Sequence, residues 1–376
     1  GGISTTGLMS HFTGNVDSAL YREILERQAQ KHYFKGGNVI EIDPELLKNV
    51  YFELLEEAGV TILLYTLVCG AVMEENHLRG VICQNKSGRV VYRAKVVIDC
   101  SGDGDVAAYS GAEYFKGRET DGLMQPATLM FKVGGVDMER AALPGSFETK
   151  VPTHKGELQA LAKEKLPAPA GHVLLYRSPI PGIVTCNMTN VTGIDGTQAE
   201  DLTRAELVCR SQMEPIVSFL REYVPGYENC YIVSAASLIG IRETRHFRGI
   251  KTITEEDIWN ARWFEDWVVR DAYFNFDVHN ITGSGLDETG IQHKFEQTQG
   301  YTIPYGCLVP EKVDGLLLSG RNISGTHMAH SNFRAMPICL GIGEAGGVGA
   351  VLAVKQKIEV REVCPQEIQK ILFGIS

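Results

Sequence analysis

The run from Asp43 to Ile98 most narrowly constrains the fold. Asp43-Pro44 pairs an N-capping side chain with a first-turn proline. Leu46, Leu47, Val50, Tyr51, Leu54 and Leu55 then recur at helical spacing, and Gly59 supplies the stop. Val60 to Val68 is rich in β-formers, followed by Ala71 to Gln84 and Val90 to Ile98, the last two joined into a hairpin near Lys86-Ser87-Gly88. A succession of helix, strand and hairpin belongs to a mixed α/β chain. An amphipathic helix over Asp17 to about Tyr33, carried by Leu20, Ile24 and Leu25, precedes it.

Beyond Asp99 the segment CSGDGDVAA reads as a glycine turn opening a short helix, and a domain crossing is expected near Gln125-Pro126. From there to about Gly300 strands (Gly182 to Thr189, Tyr231 to Leu238) mix with helices (Gln198 to Tyr223, Glu255 to Ala272), which predicts a separate α+β unit. Leu316 to Ser319 reads as a short buried strand ending at Gly320-Arg321. A polar loop leads from it to a long helix starting at Pro337. Ala335 to Val354 has membrane-spanning length with one charge, Glu344, but its five glycines suit a helix packed inside a fold better.

Forty glycines are more than one residue in ten, and a large bound ligand approached closely by backbone would explain them. The net charge of −10 and the absence of any Lys/Arg run disfavour nucleic acid. Nine cysteines, none in a CxxC, offer no local zinc or iron–sulfur set and point to buried thiols in a reducing, cytoplasmic setting.

Two segments match the dinucleotide fingerprint, Gly102-Asp-Gly104-Asp-Val-Ala107 and Gly341-Ile-Gly343-Glu-Ala-Gly346. Asp103 and Asp105 would repel a pyrophosphate at the first. The second lies past the helix start, where the N–H groups are already bonded within the helix. Close packing is the better account of both. No Walker A loop, G-x-S-x-G elbow, H-E-x-x-H or EF-hand loop occurs, which removes kinase and hydrolase readings.

Three blocks, VVIDCSGDGDVAAYSGAEYFKGRETDGLMQPATLMFKVGGVD, IRETRHFRGIKTITEEDI and IPYGCLVPEKVDGLLLSGRNISGTHMAHSNFRAMPICLGIGEAGGVGAVLA, resemble the bacterial FAD-dependent oxidoreductases of the glutathione-reductase-like superfamily. That family is distantly similar to the flavin core of heterodisulfide reductase. The resemblance implies an α/β fold, an FAD-binding Rossmann-like domain (1–124 and 303–376) with an inserted α+β substrate domain (125–302). Members begin with a strand, a GxGxxG loop and a helix. Here the first βαβ unit, roughly forty residues, is expected to be missing before Gly1, so the chain reads as an N-terminally truncated fragment that holds FAD weakly.

The resemblance also implies which residues meet the cofactor. GGISTTG, with Gly1, Gly2, Thr5 and Thr6, would lie close to it, and Leu67 and Val68 would lie near the adenine. Ser101, Gly102 and Asp103 would form a turn against the dinucleotide, and Gly320, Arg321 and Asn322 would sit at the ribityl chain. Pro337 would start a helix whose N–H groups face the flavin N1–C2=O edge.

Five residues are expected to do chemistry: His327, His330 and Arg334 in the loop before Pro337, Arg242 in IRETRHFRG, and His279 beside Asp277 in FNFDVHN. Arg334 would stabilise an anion and His330 would transfer a proton. The bland alternatives are solvated groups, structural salt bridges or a carbonyl cap. His327-x-x-His330 has metal-pair spacing, but the sequence nominates no third ligand, so no metal is expected. The expected activity is hydride transfer between a small organic substrate and flavin N5. The alternative is a non-catalytic binding or scaffold protein derived from a flavoprotein.

Overall fold

The computed structural model describes residues 2–33, 40–285 and 297–375. In chain order it contains α1 (Ala19–Lys31), α2 (Pro44–Glu57), β1 (Thr66–Glu74), β2 (His77–Asn85), β3 (Gly88–Arg93), β4 (Val97–Asp99), α3 (Asp105–Tyr109), β5 (Tyr114–Lys116) and β6 (Phe131–Gly134). Then come β7 (Pro152–Thr153), β8 (Gly156–Glu157), α4 (Leu158–Lys165), β9 (Leu175–Arg177), β10 (Val184–Cys186), α5 (Ala199–Tyr223), β11 (Tyr231–Ala235) and β12 (Arg245–Phe247). The last third holds α6 (Glu255–Trp259), β13 (Trp267–Ala272), β14 (Tyr301–Pro304), β15 (Leu316–Leu318), α7 (His327–Phe333), α8 (Met336–Gln356) and α9 (Pro365–Phe373).

The local chemistry explains most of these bounds. Asp43 accepts from the N–H groups of Glu45 and Leu46 and caps α2, and Ser18 caps α1 through Tyr21 N–H. Strands β1, β2 and β3 form an antiparallel meander, while β4 and β15 pair in parallel, Val97 with Leu316 and Asp99 with Leu318. A four-stranded antiparallel sheet, β11-β6-β10-β9, is covered on its apolar side by the buried face of α5.

Buried side chains separate into two clusters. One draws on residues from Phe12 to Ala112 and from Phe247 to Ile368, the other on residues from Ala127 to Ala236. The changeover between them falls between Ala236 and Phe247. Hydrogen bonds join the two stretches of chain: His279 N–H donates to Gln125 Oε1 at 3.2 Å, and Asn190 Nδ2 donates to Gly283 O at 2.9 Å. Helix α8 is long and apolar enough to cross a membrane. Here its Gly341, Ile342, Ala345 and Gly349 are buried, and it packs on β13, β4, α1 and α9.

Four expectations change. Val60 to Tyr65 has no strand partner among the described residues, and Leu63, Leu64 and Tyr65 are exposed. Ala71 to Gln84 is broken by a turn at Glu75-Asn76, where Glu75 takes φ 56°. The expected helix Glu255 to Ala272 stops after five residues: a Thr254–Asp257 capping box starts it, Ala261 at φ 47° ends the turn, and Trp267, Val268 and Val269 continue as strand β13. The expected polar loop before Pro337 contains α7, six of whose seven residues are buried.

Candidate functional site

The two cores meet where the chain leading into β12 crosses α7. Along that extended segment successive side chains point to opposite sides, and this divides Arg242 from Glu243. Arg242 Nη1 donates to Pro126 O at 2.7 Å, whereas Glu243 Oε2 accepts from Gln125 N–H at 2.9 Å. Helix α7 is set by Thr326, whose hydroxyl accepts from Ala329 N–H and donates to Glu255. The helix presents His327 and His330 to the Glu243 side, and Arg334, its C-cap, to the Arg242 side.

On the first side, Glu243 is a hub. Its Oε1 accepts from His327 Nδ1 at 2.5 Å and from His246 Nε2 at 2.7 Å, and the carboxylate is fully buried. Burial alone would raise its pKa, but the bonds from His246 and His327 outweigh that and hold it well below the usual carboxylate range. The His246 ring stacks on Phe115 and meets His330 edge-on at 4.9 Å. Burial, then the charges of His246, Arg334 and Arg321, push His330 well below its ordinary value, so it stays neutral. His327 Nε2, His246 Nδ1 and His330 Nδ1 are buried with no hydrogen-bond partner.

The second side is built from Arg242, Arg334, Asp277 and His279. Arg334 Nη2 donates to Asp277 O at 2.7 Å and to Asp277 Oδ2 at 2.9 Å, and His279 Nε2 lies 3.4 Å from Asp277 Oδ1. Burial and the neighbouring Arg334 charge lower Arg242 to about 10. Burial favours the neutral acid in Asp277, but His279, Arg334 and Arg242 hold it well below its ordinary value. His279 is pushed down to about 4 by burial and Arg242, and His172 to about 3 by burial and His279. Tyr176, raised to about 12 by burial, keeps its proton. Phe147 sets its ring against those of His172 and His279. The buried donors Gln125 Nε2 and Arg334 Nε have no acceptor.

The structure thus brings all five expected side chains into two buried polar groups on two sides of one junction, His327 and His330 beside Glu243 and His246, and Arg242, Arg334 and His279 around Asp277. His327 and His330, expected in a loop, are helical and buried at 2% and 1% exposure, because Ala329 and Phe333 anchor α7 in the first core. Arg334 bonds a carboxylate as well as the carbonyl foreseen in the bland reading. Glu243, Gln125, Tyr176 and His172 escaped the sequence reading. The one signal for Glu243 was its i, i+3 spacing to His246, shared with ordinary surface pairs.

Of the residues expected near a cofactor, Ser101 to Asp103 and Gly320 to Asn322 lie just beyond the ends of β4 and β15. Asp99 accepts from Ser101 N–H and Oγ and from Ala107 N–H, fixing the 99–107 turn. Asp103 Oδ1 accepts from Arg321 Nη2 and Thr244 Oγ1, both at 2.6 Å, so its charge is matched inside the protein. A Cβ on Gly104 would sit 2.0 Å from Phe247, and Arg321 covers Gly102, so close packing accounts for that glycine pair. Asn322, fully buried, donates to Asp99 O while its Oδ1 has no partner. Gly320, at φ 116°, borders open space with only that Oδ1 near its Cβ position. Helix α8 begins at Met336 with Pro337 in its first turn, and no side chain caps its N-terminus. Thr5 and Thr6 turn their hydroxyls back to Gly2 O, Leu67 is 70% exposed, Val68 packs against the first core, and Gly1 lies outside the described residues.

A family model described as FAD dependent oxidoreductase matches residues 1–372. No curated protein matches the sequence. Among solved structures the chain is similar to a geranylgeranyl bacteriochlorophyll reductase-like protein from Thermoplasma acidophilum, with 12% identity, a TM-score of 0.45, and coverage of 96% of this chain and 66% of that one. It is also similar to a p-nitrophenol 4-monooxygenase from Pseudomonas putida (9%, 0.41, 93% and 64%) and to L-proline dehydrogenase from P. horikoshii (11%, 0.36, 85% and 57%). The chain spans two thirds or less of the length of these three proteins.

Proposed function

The chain belongs to the FAD-dependent oxidoreductase family, its cofactor is FAD, and from that premise we propose that it oxidises or reduces a small organic anion bound between Arg242 and Arg334. The observation that carries this reading is a charge mismatch. Two guanidinium groups face one carboxylate, Asp277, which is bonded to Arg334 alone of the two, and the imidazoles beside them are held neutral. An incoming carboxylate would complete the balance and give Arg334 Nε and Gln125 Nε2 the acceptor they lack.

The residues present fit the ribityl and ring end of FAD. The partnerless Oδ1 of Asn322 suits a ligand hydroxyl, the bare backbone of Gly320 faces the same space, and the uncapped start of α8 favours negative charge. Bound there, FAD would supply a two-electron acceptor or donor. The protein's own part is to bind and orient the substrate anion through the arginine pair. His279, aligned by Asp277, then takes or returns the proton on the reacting carbon's hydroxyl or amine. Anion binding beside His279 raises its proton affinity from the depressed value of about 4 and so prepares it as a base. Burial of the junction excludes water. The second core, from Ala127 to Ala236, marks the interior of the unit proposed to cover the substrate.

The test is anaerobic bleaching of the flavin absorbance of the FAD-loaded protein by a panel of small 2-hydroxy and 2-amino carboxylates and their uncharged amides. Bleaching confined to the carboxylates and lost in Arg242→Met is expected. Equal bleaching by the amides would overturn the assignment.

A further inference from the structure

We propose that Glu243, His246 and His330 form a site for one first-row divalent transition-metal ion of the zinc class, at the junction of the two cores. The proposal does not rest on the flavin reading. One ligand atom from each residue lies within 4.8 Å of the other two, and all three residues are buried. Two imidazoles and one carboxylate are a donor set of intermediate softness, which zinc and its neighbours accept; calcium and magnesium require more oxygen donors than one carboxylate offers.

Three features separate this arrangement from an ordinary buried polar cluster. Buried ring nitrogens normally find partners, yet His330 Nδ1 has none, with His330 at 1% exposure. The hub carboxylate is oriented from outside the set by Gln125 N–H at 2.9 Å and by His327 Nδ1 at 2.5 Å, as outer-shell groups orient a metal-ligating carboxylate. The rings are held by stacking of Phe115 on His246 and by the edge of Phe333 on His330, so their directions are fixed before any ion arrives.

Binding has definite costs. Zinc bonds of about 2.0–2.2 Å put tetrahedral ligand atoms about 3.4 Å apart, so atoms that lie within 4.8 Å of one another must close by up to about 1.4 Å. The Nε2–H that His246 gives to Glu243 must move to Nδ1 or leave, so protons compete with the metal. Arg321 and Arg334 are close enough to depress His330 and also oppose a cation, which makes the Glu243 charge indispensable. Three protein ligands leave a fourth position for water or a substrate oxygen.

The metal-stripped full chain is titrated with Zn2+ by equilibrium dialysis and with Co2+ by visible absorption. One ion per chain with Kd below about 10 µM is expected, weakened at least about 100-fold in His246→Ala and in His330→Ala. His154→Ala, an exposed histidine outside the cluster, should leave binding unchanged. No stoichiometric binding, or binding that survives the His246→Ala/His330→Ala double substitution, would overturn the site. If those variants do not fold, X-ray absorption of the Zn2+-loaded wild type decides. A shell of two imidazoles and a carboxylate supports the proposal, and a sulfur or all-oxygen shell rejects it.

Discussion

Arg242 and Glu243 are neighbours in sequence and anchor two buried polar groups of opposite character. Around Glu243, one carboxylate is matched by two imidazole N–H donors and a backbone N–H. Around Arg242, a second arginine and one carboxylate leave positive charge and two donors unanswered. With no metal ion bound, the group whose charge is closed internally holds structure, whereas the one left open toward an anion is poised for that ligand. His330 and Arg334 repeat the division one helical turn apart. A single strand–helix crossing thus serves two tasks.

The sharpest way to break this contrast is to remove the hub. Glu243→Gln retains shape but loses the charge and half of the acceptors, stranding buried donors, and should destabilise the fold by about 3–5 kcal/mol in urea denaturation. A loss under about 1 kcal/mol would mean that the cluster is not closed as described. The open group should respond in affinity instead. Arg334→Met removes a charge-assisted contact of about 1.5–3 kcal/mol, so carboxylate affinity of the FAD-loaded protein should fall roughly 10- to 150-fold, measured by flavin perturbation. An unchanged affinity would place the anion elsewhere.

The mixed α/β character, the capped helix at Pro44, the short buried strand at Leu316 and the buried helix at Pro337 were all legible, because each rests on local signals: caps, periodicity and breakers. What escaped depends on tertiary context. Helix α7, HMAHSNF, carries no amphipathic stripe because it is buried almost all round, so it reads as a polar loop. Glu243 lies 84 residues from His327, and no spacing rule spans that gap. The helix expected through Ala272 failed because helical spacing continued past the point where Ala261 turned the chain. The paired arginines were visible as residues, but the carboxylate they face and the missing acceptors were not.

A third comparison uses pH. His279 titrates at about 4 in the fold against 6.5 when unfolded. Its contribution to stability is therefore full above about pH 6.5 and is lost as pH falls toward 4, because the unfolded chain takes up the proton first. Lowering pH from 7 to 5 should cost about 2 kcal/mol through His279, and His279→Gln should flatten that limb. Asp277 and Glu243, both depressed, add stability that is lost only at more acid pH, below the ordinary carboxylate range. If His279→Gln leaves the pH 5–7 slope intact, other groups carry it, His172 first among them.

The smallest effect is expected at Tyr176, and it distinguishes ligand binding from folding most cleanly. Its hydroxyl accepts only a long bond, 3.4 Å, from Asn187 Nδ2, and its ring is held by His11 at 4.5 Å regardless of the hydroxyl. Tyr176→Phe therefore deletes a group that contributes little to the fold, and stability should change by less than about 1 kcal/mol. The same hydroxyl keeps its proton, lies close enough to feel the charges of Asp277 and Arg242, and is available to donate to an anion there. Losing one neutral hydrogen bond of about 1 kcal/mol should weaken carboxylate binding roughly fivefold, with the unfolding midpoint unmoved. A stability loss without an affinity loss would instead show that Tyr176 belongs to the closed, structural side of the junction.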